Sequence, residues 1–193
     1  RDITKKDNPE VIRFFMLSAH YRSPVNFSDE LMQQAESALT RVYTCLDNVK
    51  FLMQQAKDRE MNDSELIISA ELDKSKQRFI DSMDDDLNTA DALSAIFDIV
   101  STANKELSEE GDNSKEILDK TYNLIHELGD VLGLFAEKKT ASIDDEIEQL
   151  IEKRNEARAN KNWAEADRIR DELKSRNIEL KDTPMGVKWS YIK

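Results

Sequence analysis

The sequence predicts a mainly α-helical fold, in which a helical bundle is followed by a small α/β appendage with two helices and a C-terminal β-hairpin. The 193 residues include only 4 Gly and 3 Pro, and 35% of them are charged, a composition that favours long amphipathic helices. Apolar residues recur at helical spacing through most of the chain. Residues 178–191 instead alternate between apolar and polar types around a turn sequence, which is typical of a hairpin.

The first two helices are predicted from their punctuation. Asn8 precedes Pro9, which fits the first position of a helix because its missing N–H costs nothing there. Pro24 marks the interruption, since the residue before a proline avoids the helical conformation. Ser28 is expected to cap a second helix that runs to about Lys57. Its apolar residues follow a heptad spacing, and we expect them to be the buried face: Leu31, Ala35, Ala38, Val42, Cys45, Val49, Leu52 and Ala56.

Three more helices complete the predicted bundle. The third opens at Asp63-Ser64 and the fourth at Asn88-Thr89. Asn113 and Glu116 form a capping-box pattern for the fifth, which ends near Gly133. Such helices with short connections bury their apolar faces by packing together. The predicted faces are Leu66, Ile67, Ala70, Leu72, Phe79, Ile80 and Met83 on the third helix, Leu93, Ile96, Phe97, Val100 and Leu107 on the fourth, and Ile117, Leu118, Tyr122, Ile125 and Leu128 on the fifth.

A change in composition near residues 135–145 predicts the domain boundary. Residues 134–142, LFAEKKTAS, are interpreted as a linker. The domain limits that follow are a connector at 1–25, the bundle at 26–135, the linker at 136–143 and a small domain at 144–193.

Two helices and a hairpin are predicted within that small domain. Ser142 with Asp145 makes a capping pattern for a helix that reaches about Asn160. After the interruption at Lys161-Asn162, a further helix runs from Trp163 to about Asn177. The turn of the hairpin falls within residues 182–186.

Charge is distributed unevenly along the chain. The formal net charge is −12, but residues 1–152 carry 17 Lys and Arg against 33 Asp and Glu, a net of −16, whereas residues 153–193 carry 11 against 7, a net of +4. Attraction to phosphate is local at physiological salt, so the basic end is the part that is compatible with nucleic acid.

Several classes of site are disfavoured by the sequence. The lone Cys45 forms no internal disulfide, is expected in the core and suits a reducing cytoplasm. The acids at 84–86 are interpreted as turn and helix-start residues, because no His lies near them at metal-ligand spacing. His20 lacks a partner set, and His126 is interpreted as a satisfied surface or boundary histidine. No apolar run approaches the ~20 residues that span a bilayer. The start has neither an initiator Met nor a signal core, so we expect an internal segment of a longer protein.

Three segments, in this order, resemble cysteinyl-tRNA synthetases. They are PEVIRFFMLSAHYRSPVNFSDE at 9–30, MDDDLNTADAL at 83–93, and EARANKNWAEADRIRDEL with IELKDTPMGVKW at 156–173 and 178–189. In that family a stretch similar to the first follows the KMSKS loop. The likeness covers nearly the whole chain and implies a helical bundle of the class I synthetase anticodon-binding type.

The resemblance implies a function for the parent protein that this chain alone does not perform. The parent would activate cysteine with ATP and charge tRNA(Cys), using a zinc ion in its catalytic domain. The 193 residues contain no HIGH-type signature, KMSKS loop or zinc-ligand set, so the fragment is expected to have no catalytic residue, metal or cofactor. Its implied partners are tRNA(Cys) and the missing catalytic domain of the same chain, with no DNA and no membrane. A cytoplasmic monomer is expected.

The resemblance also carries the candidate site residues. Arg158, Trp163, Asp167 and Asp182 match anticodon-contacting positions of the family, whereas Met185 stands where some members have Gln. Arg offers a forked donor to guanine, a carboxylate accepts from base amino groups, and Trp stacks on a base. Phosphate contacts, which carry no sequence information, are expected from Lys161, Arg168, Arg170, Lys174, Lys181 and Lys188. Tyr21-Arg22 is a further hypothetical contact with the tRNA.

Other interpretations remain open for these residues and for the chain. Trp163 packing on the hairpin is as compatible with the sequence as stacking on a base. Arg158 and Asp167 are also suited to surface ion pairs, and Asp182 to capping its own turn. For the whole chain, the alternatives are a fragment of the related ligase that joins cysteine to an amino sugar, and a helical protein-interaction scaffold that uses the face from Leu31 to Ala56. Residues 156–189 favour the synthetase over the amino-sugar ligase.

Overall fold

The computed structural model describes residues 8–108, 112–136, 141–183 and 186–191. The chain divides into two compact units, residues 1–136 and 137–193. The first unit contains five helices among its described residues: α1 (Pro9–Leu17), α2 (Asp29–Met53), α3 (Asp63–Asp84), α4 (Thr89–Glu106) and α5 (Lys115–Leu132). The second contains α6 (Ala141–Ala159), α7 (Trp163–Ser175) and the strands β1 (Ile178–Thr183) and β2 (Gly186–Tyr191). The predicted mainly α-helical class is confirmed.

Helix starts follow the side chains that satisfy the first free N–H groups. Asn8, Ser28 and Asn88 cap α1, α2 and α4 as predicted. The predicted start of α3 at Asp63-Ser64 is confirmed, and its cap is Asn62, which forms a capping box with Glu65.

The predicted cap of α5 is wrong. Ser114 caps α5 by accepting from the N–H of Ile117. Asn113 is buried and bonds both backbone groups of Ser108, at 2.9 and 2.7 Å, so its side chain is committed to the preceding loop. The predicted end of α5 is confirmed, because Gly133 takes the left-handed conformation with φ of 65°.

The buried face of α2 differs from the predicted heptad. Val42, Cys45 and Val49 are buried as expected, but Leu31 is 37% exposed and Ala38 is only half-buried. The core residues that the heptad omitted are Met32, Leu39 and Leu46. Helix α2 contacts α1, α4 and α5, so it buries the wider stripe of a globular helix instead of a two-helix seam. It also ends at Met53, before the predicted Lys57.

Helix α3 is rotated away from its predicted orientation. Leu66 and Ile67 are 52% and 65% exposed, and Ala70 and Ile80 are exposed as well. Leu72 and Phe79 are buried as predicted. The side chains that face inward in place of the others are Glu65, Ile68 and Ser69. A buried carboxylate near the start of α3 accounts for this rotation.

Glu65 is that carboxylate, with 4% of its surface exposed. It accepts hydrogen bonds from Arg59 at 2.6 and 3.3 Å, from the N–H of Ser114 at 2.7 Å and from the N–H of Asn62 at 2.9 Å. Nearby, the backbone of Lys57 pairs with Asn113 and Lys115. The network therefore joins the loop before α3 to the loop before α5.

These hydrogen bonds decide the pKa of Glu65. Burial of the carboxyl opposes ionisation, but the bonds from Arg59, Ser114 and Asn62 outweigh it and hold the pKa below its ordinary value. A carboxyl whose pKa is lower in the folded chain than in the unfolded chain stabilises the fold. This stabilisation is present at pH values above the pKa in the unfolded chain, about 4.3, and is lost as pH falls through the pKa in the folded chain.

We expect Glu65→Gln to lower the free energy of unfolding by about 2 kcal/mol at pH 7. An amide has a single oxygen, so it cannot accept hydrogen bonds from all four N–H donors. The deficit relative to the parent chain should be constant between pH 8 and pH 6, and should shrink as pH falls below about 4. Urea unfolding across this pH range measures it. Glu71→Gln, on the exposed face of α3, is the control. A deficit that grows towards low pH would contradict the assignment.

Helix α1 belongs to the first unit and holds the end of α5. Glu10 accepts from the Tyr43 hydroxyl at 2.8 and 2.9 Å and from the N–H of Phe135 at 2.8 Å. Arg13 donates to the carbonyl of Gly133 at 2.5 Å. The residues predicted as a connector thus contain a packed helix, and Leu134 and Phe135, predicted to begin the linker, are buried in the core.

Close packing at this end predicts that Gly129→Ala destabilises the first unit. A Cβ there would lie 2.5 Å from Cδ2 of Phe135 and 2.9 Å from the carbonyl oxygen of Leu134. The expected cost is about 1–3 kcal/mol, although alanine ordinarily stabilises a helix interior. Asn123→Ala, on the exposed face of α5, should be neutral or slightly stabilising. Equal unfolding midpoints for the two variants would contradict this prediction, because they would show that Phe135 and Leu134 move aside at no cost in stability.

The second unit has its own small core. Ile147 and Ile151 of α6, Ile169 and Leu173 of α7, and Ile178 of β1 form it, and Leu150, Leu180, Val187 and Trp189 pack against it. The strands pair antiparallel with Leu180 opposite Trp189, which confirms the predicted hairpin. Helix α6 begins at Ala141, one residue before the predicted cap Ser142, whose side chain lies outside the described residues.

Candidate nucleic-acid interface

One face of α7 carries four of the predicted site residues. Trp163, Asp167, Arg170 and Lys174 are spaced by 4, 3 and 4 residues and are all exposed, so they lie in a row along the helix. We call this row the α7 stripe. The buried residues Ala166, Ile169 and Leu173 fix the rotation of α7, which points the stripe to solvent.

The charged side chains on the opposite side of α7 form ion pairs with one another. Arg168 bonds Glu165 at 2.9 and 2.6 Å, and Arg176 bonds Glu172 at 2.8 Å. The hydrogen bond from Arg168 lowers the pKa of Glu165, and the same bond raises the pKa of Arg168. Arg168, predicted to contact phosphate, is therefore already neutralised by a neighbour. By contrast, Arg170 and Lys174 have no ion-pair partner among the residues that the structure describes.

The turn before α7 brings two more candidates to the head of the stripe. Arg158 is exposed in the last turn of α6, and it has a bonding partner within the chain. Lys161 is exposed and has a φ of 58°, a left-handed conformation that lets the chain reverse in two residues. Asn162 then caps α7 by accepting from the N–H of Glu165 at 3.3 Å. Arg158, Lys161 and Trp163 thus lie within one short turn.

The hairpin holds the remaining candidates. Lys181 is exposed on β1, directly opposite Lys188 of β2 in the strand register. Asp182 is opposite Val187. The side chains of Lys188 and Asp182, and the whole of Met185, lie outside the described residues, so their roles stay predictions.

The two tryptophans have opposite environments. Trp189 packs against the core of the second unit, whereas Trp163 is 58% exposed. This exposure disfavours the interpretation of Trp163 as a residue that packs on the hairpin. An exposed indole beside Arg and Lys side chains is a surface on which a base can stack.

Sequence reasoning missed how two clusters are arranged. It named the members of the α7 stripe separately, although their spacing shows that they share a face. It also left Asp86 as a turn acid, whereas Asp86 accepts from Tyr21 at 2.8 Å and pairs with Arg22 at 2.9 Å, with His20 at 3.9 Å. No spacing rule links residues 64 positions apart.

Two other predictions concern buried groups. Cys45 is fully buried, and burial raises the pKa of its thiol to about 11, which confirms a core role. His126 was interpreted as satisfied, but its Nε2 is buried and has no hydrogen-bond partner among the described residues. Its ring lies 4.5 Å from that of Tyr122.

None of the described helices is long and apolar enough to cross a bilayer.

The two tryptophans should respond differently to substitution and to a quencher. Trp163→Phe should change the free energy of unfolding by less than about 0.5 kcal/mol and remove most of the emission that acrylamide quenches. Trp189→Phe should cost more, about 1–3 kcal/mol, and leave that emission in place. Equal quenching of the two single-tryptophan variants would refute the exposure of Trp163.

Comparisons with known proteins agree with this architecture. Residues 78–136 match the DALR domain, and residues 140–189 match the cysteinyl-tRNA ligase anticodon binding domain. The cysteine–tRNA ligase of Lachnospira eligens is 52% identical over 190 residues, which are 98% of this chain and 40% of that protein. The chain thus spans well under half the length of this relative. These matches show that the chain belongs to the cysteinyl-tRNA synthetase family, of which it carries the DALR domain and the anticodon-binding domain.

Proposed function

We propose that this chain is the tRNA-recognition portion of a cysteine–tRNA ligase, and that its second unit reads the anticodon of tRNA(Cys). The observation that carries the proposal is the exposed Trp163 at the head of the α7 stripe, inside the matched anticodon-binding domain. An indole left out of the core loses about 1.5–3 kcal/mol of potential burial. A stacking partner accounts for its position.

The residues divide into two roles under this proposal. Arg158, Trp163, Asp167 and Asp182 contact bases, because they supply a forked donor, a flat ring and carboxylate acceptors. Five cations contact phosphates: Lys161, Arg170, Lys174, Lys181 and Lys188. Arg168 is the exception among the predicted phosphate contacts, since Glu165 would first have to release it.

The charge distribution supports the same orientation. The net charge of +4 in residues 153–193 attracts the phosphate backbone, whereas the net of −16 in residues 1–152 repels it. RNA contacts of the first unit would therefore depend on shape and on uncharged groups. This division gives the second unit most of the electrostatic affinity.

The catalytic activity belongs to the whole enzyme in this proposal. The parent would use ATP to activate cysteine and a zinc ion in its catalytic domain, and would work in the cytoplasm. The residues that hold those groups in the family are not within this sequence. We therefore expect no aminoacylation by the chain alone.

The alternative functions fit less well. The amino-sugar ligase generally lacks an anticodon-reading terminus, whereas this chain matches that domain over residues 140–189. The scaffold hypothesis needs the face from Leu31 to Ala56 to be available, but Val42, Cys45 and Val49 are buried within the first unit.

Binding of an anticodon stem-loop tests the proposal. Arg158→Ala should weaken binding to the tRNA(Cys) stem-loop by about 1–3 kcal/mol and relax discrimination against single-base anticodon variants. Trp163→Ala should weaken binding to the stem-loop and its variants alike by a similar amount. Lys174→Ala should weaken binding to every sequence equally and reduce the salt slope by about 1. Fluorescence anisotropy at several salt concentrations measures all three.

Arg176→Ala is the matched control for this series. Arg176 lies on the ion-paired flank of α7, so its loss should leave both affinity and discrimination almost unchanged. The assignment of Arg158 fails if its variant binds all stem-loops as the parent chain does. The recognition proposal as a whole fails if neither Arg158→Ala nor Trp163→Ala changes binding at matched salt.

A further inference from the structure

The turn between α6 and α7 is closed by two backbone hydrogen bonds around a strained residue. The N–H of Asn162 donates to the carbonyl of Ala157 at 2.8 Å, and the N–H of Lys161 donates to the carbonyl of Arg158 at 3.0 Å. This pair of bonds is a Schellman motif, in which the residue with the left-handed conformation is usually Gly. In this turn it is Lys161, with a φ of 58°.

Other helix ends of the chain place more suitable residues in the same conformation. Gly133 ends α5 with a φ of 65°, and Asn177 lies just after α7 with a φ of 59°. Gly has no Cβ and Asn tolerates the left-handed region, whereas a lysine there has a steric cost. Strained conformations persist only where the surrounding structure fixes them. The α6–α7 turn therefore needs an anchor.

Apolar packing supplies little of that anchor. The core of the second unit extends along α6 as far as Ile151. Beyond Ile151, the only buried residues in the rest of α6, all of which is described, are Arg154 and Ala157. The buried residue of α7 nearest to the turn is Ala166. An alanine removes too little apolar surface from water to hold a helix end by itself.

Arg154 is the large side chain at this end of the core. It is 4% exposed, and it is the one buried charged residue among the described residues of the second unit. It has a bonding partner within the chain. It follows Ile147 and Ile151 at helical spacing, and Arg158 lies one turn further along the same face. Its methylenes pack as an apolar stem, while its guanidinium forms directional hydrogen bonds. Such a side chain fixes both the rotation and the height of a helix end.

Stability alone does not account for an arginine at this position. Removing a charge from water costs free energy that its hydrogen bonds only offset, and apolar replacements of buried ions are often neutral or stabilising. An aliphatic side chain would therefore serve the core equally well. The difference lies in what the helix end carries, because the candidate RNA contacts Arg158, Lys161 and Trp163 follow directly in the chain.

We propose that Arg154 is a positioning residue for anticodon reading. It touches no RNA, and it holds the α6–α7 turn so that Arg158 and Trp163 are presented in one fixed geometry. The inference rests on the proposed function of the second unit. Groups that are ordered before binding discriminate better, because binding does not have to order them. Loss of Arg154 should therefore reduce discrimination among anticodons and leave the general attraction to phosphate unchanged.

Hydrogen exchange of the free chain tests whether Arg154 holds the turn. Arg154→Met keeps an unbranched apolar side chain and removes the guanidinium. The amides of 160–162 should exchange at least about tenfold faster, whereas those of 169–173 should be unchanged. Lys153→Met is the matched control, because it removes the same charge from the exposed neighbouring position and should leave both segments as they are. Equal exchange of 160–162 in the two variants would overturn the proposal.

Binding of anticodon stem-loops tests the consequence for recognition. Arg154→Met should reduce the ratio of affinities for the tRNA(Cys) stem-loop and its single-base variants by at least about threefold. The salt slope should equal that of Lys153→Met, because Arg154 contacts no phosphate. A uniform loss of affinity for all stem-loops, or an unchanged ratio, would indicate a purely structural role and refute the inference. If Arg158→Ala reduces the ratio and Arg154→Met does not, this inference alone fails. If neither does, the assignment of Arg158 to base reading fails with it.

Arg154→Lys keeps the test decisive if Arg154→Met unfolds the second unit, which faster exchange at 169–173 would reveal. Lysine keeps the charge and the apolar stem but lacks the planar fork. Exchange at 160–162 should still accelerate without a change at 169–173, and discrimination should still fall. Discrimination equal to that of the parent chain in Arg154→Lys would then contradict the positioning role.

Discussion

The burial of one face of α7 is the constraint on which the candidate interface depends. Ile169 and Leu173 pack with α6 and the hairpin around a core of only a few side chains. Burial of each large side chain contributes about 1.5–3 kcal/mol, so the second unit has little core to spare. Rotating α7 to bury Trp163 would expose Leu173. The core therefore fixes the direction of the stripe, and the rigid helix positions it.

Acidic residues of the first unit have two different structural roles, one in the core and one at the surface. Glu65 is buried, because four donors converge on its two oxygens and outweigh the cost of desolvation. Asp86 is half exposed and organises a surface instead of a core. Each is paired with an arginine outside helical spacing, six residues away for Glu65 and 64 residues away for Asp86. Local sequence does not reveal the pair at Asp86, since its geometry exists only after the helices have packed.

Features of the fold that depend on local bonds were predictable from the sequence, whereas features that depend on tertiary packing were not. Caps at Asn8, Ser28 and Asn88, the stop at Gly133 and the hairpin were predictable, because each is a local bond or a local conformation. The buried faces of α2 and α3 were predicted only in part. Helix α2 has neighbours on several sides, and α3 is turned by the network at Glu65, so periodicity alone could not identify the inward residues. The site residues came from family resemblance, whereas their arrangement as a stripe came from spacing that the structure made visible.

The exposed apolar residues of the two units have different physical explanations. Trp163 lies beside cations in a basic segment, where a flat, polarisable ring suits a nucleobase. Leu87 and Leu31 directly follow acidic residues in an acidic unit, and aliphatic groups gain from another apolar surface but not from phosphate. Exposure alone does not distinguish the two cases. The charge of the neighbours and the shape of the side chain do, since a planar ring among cations suits a nucleobase and aliphatic groups among acids do not.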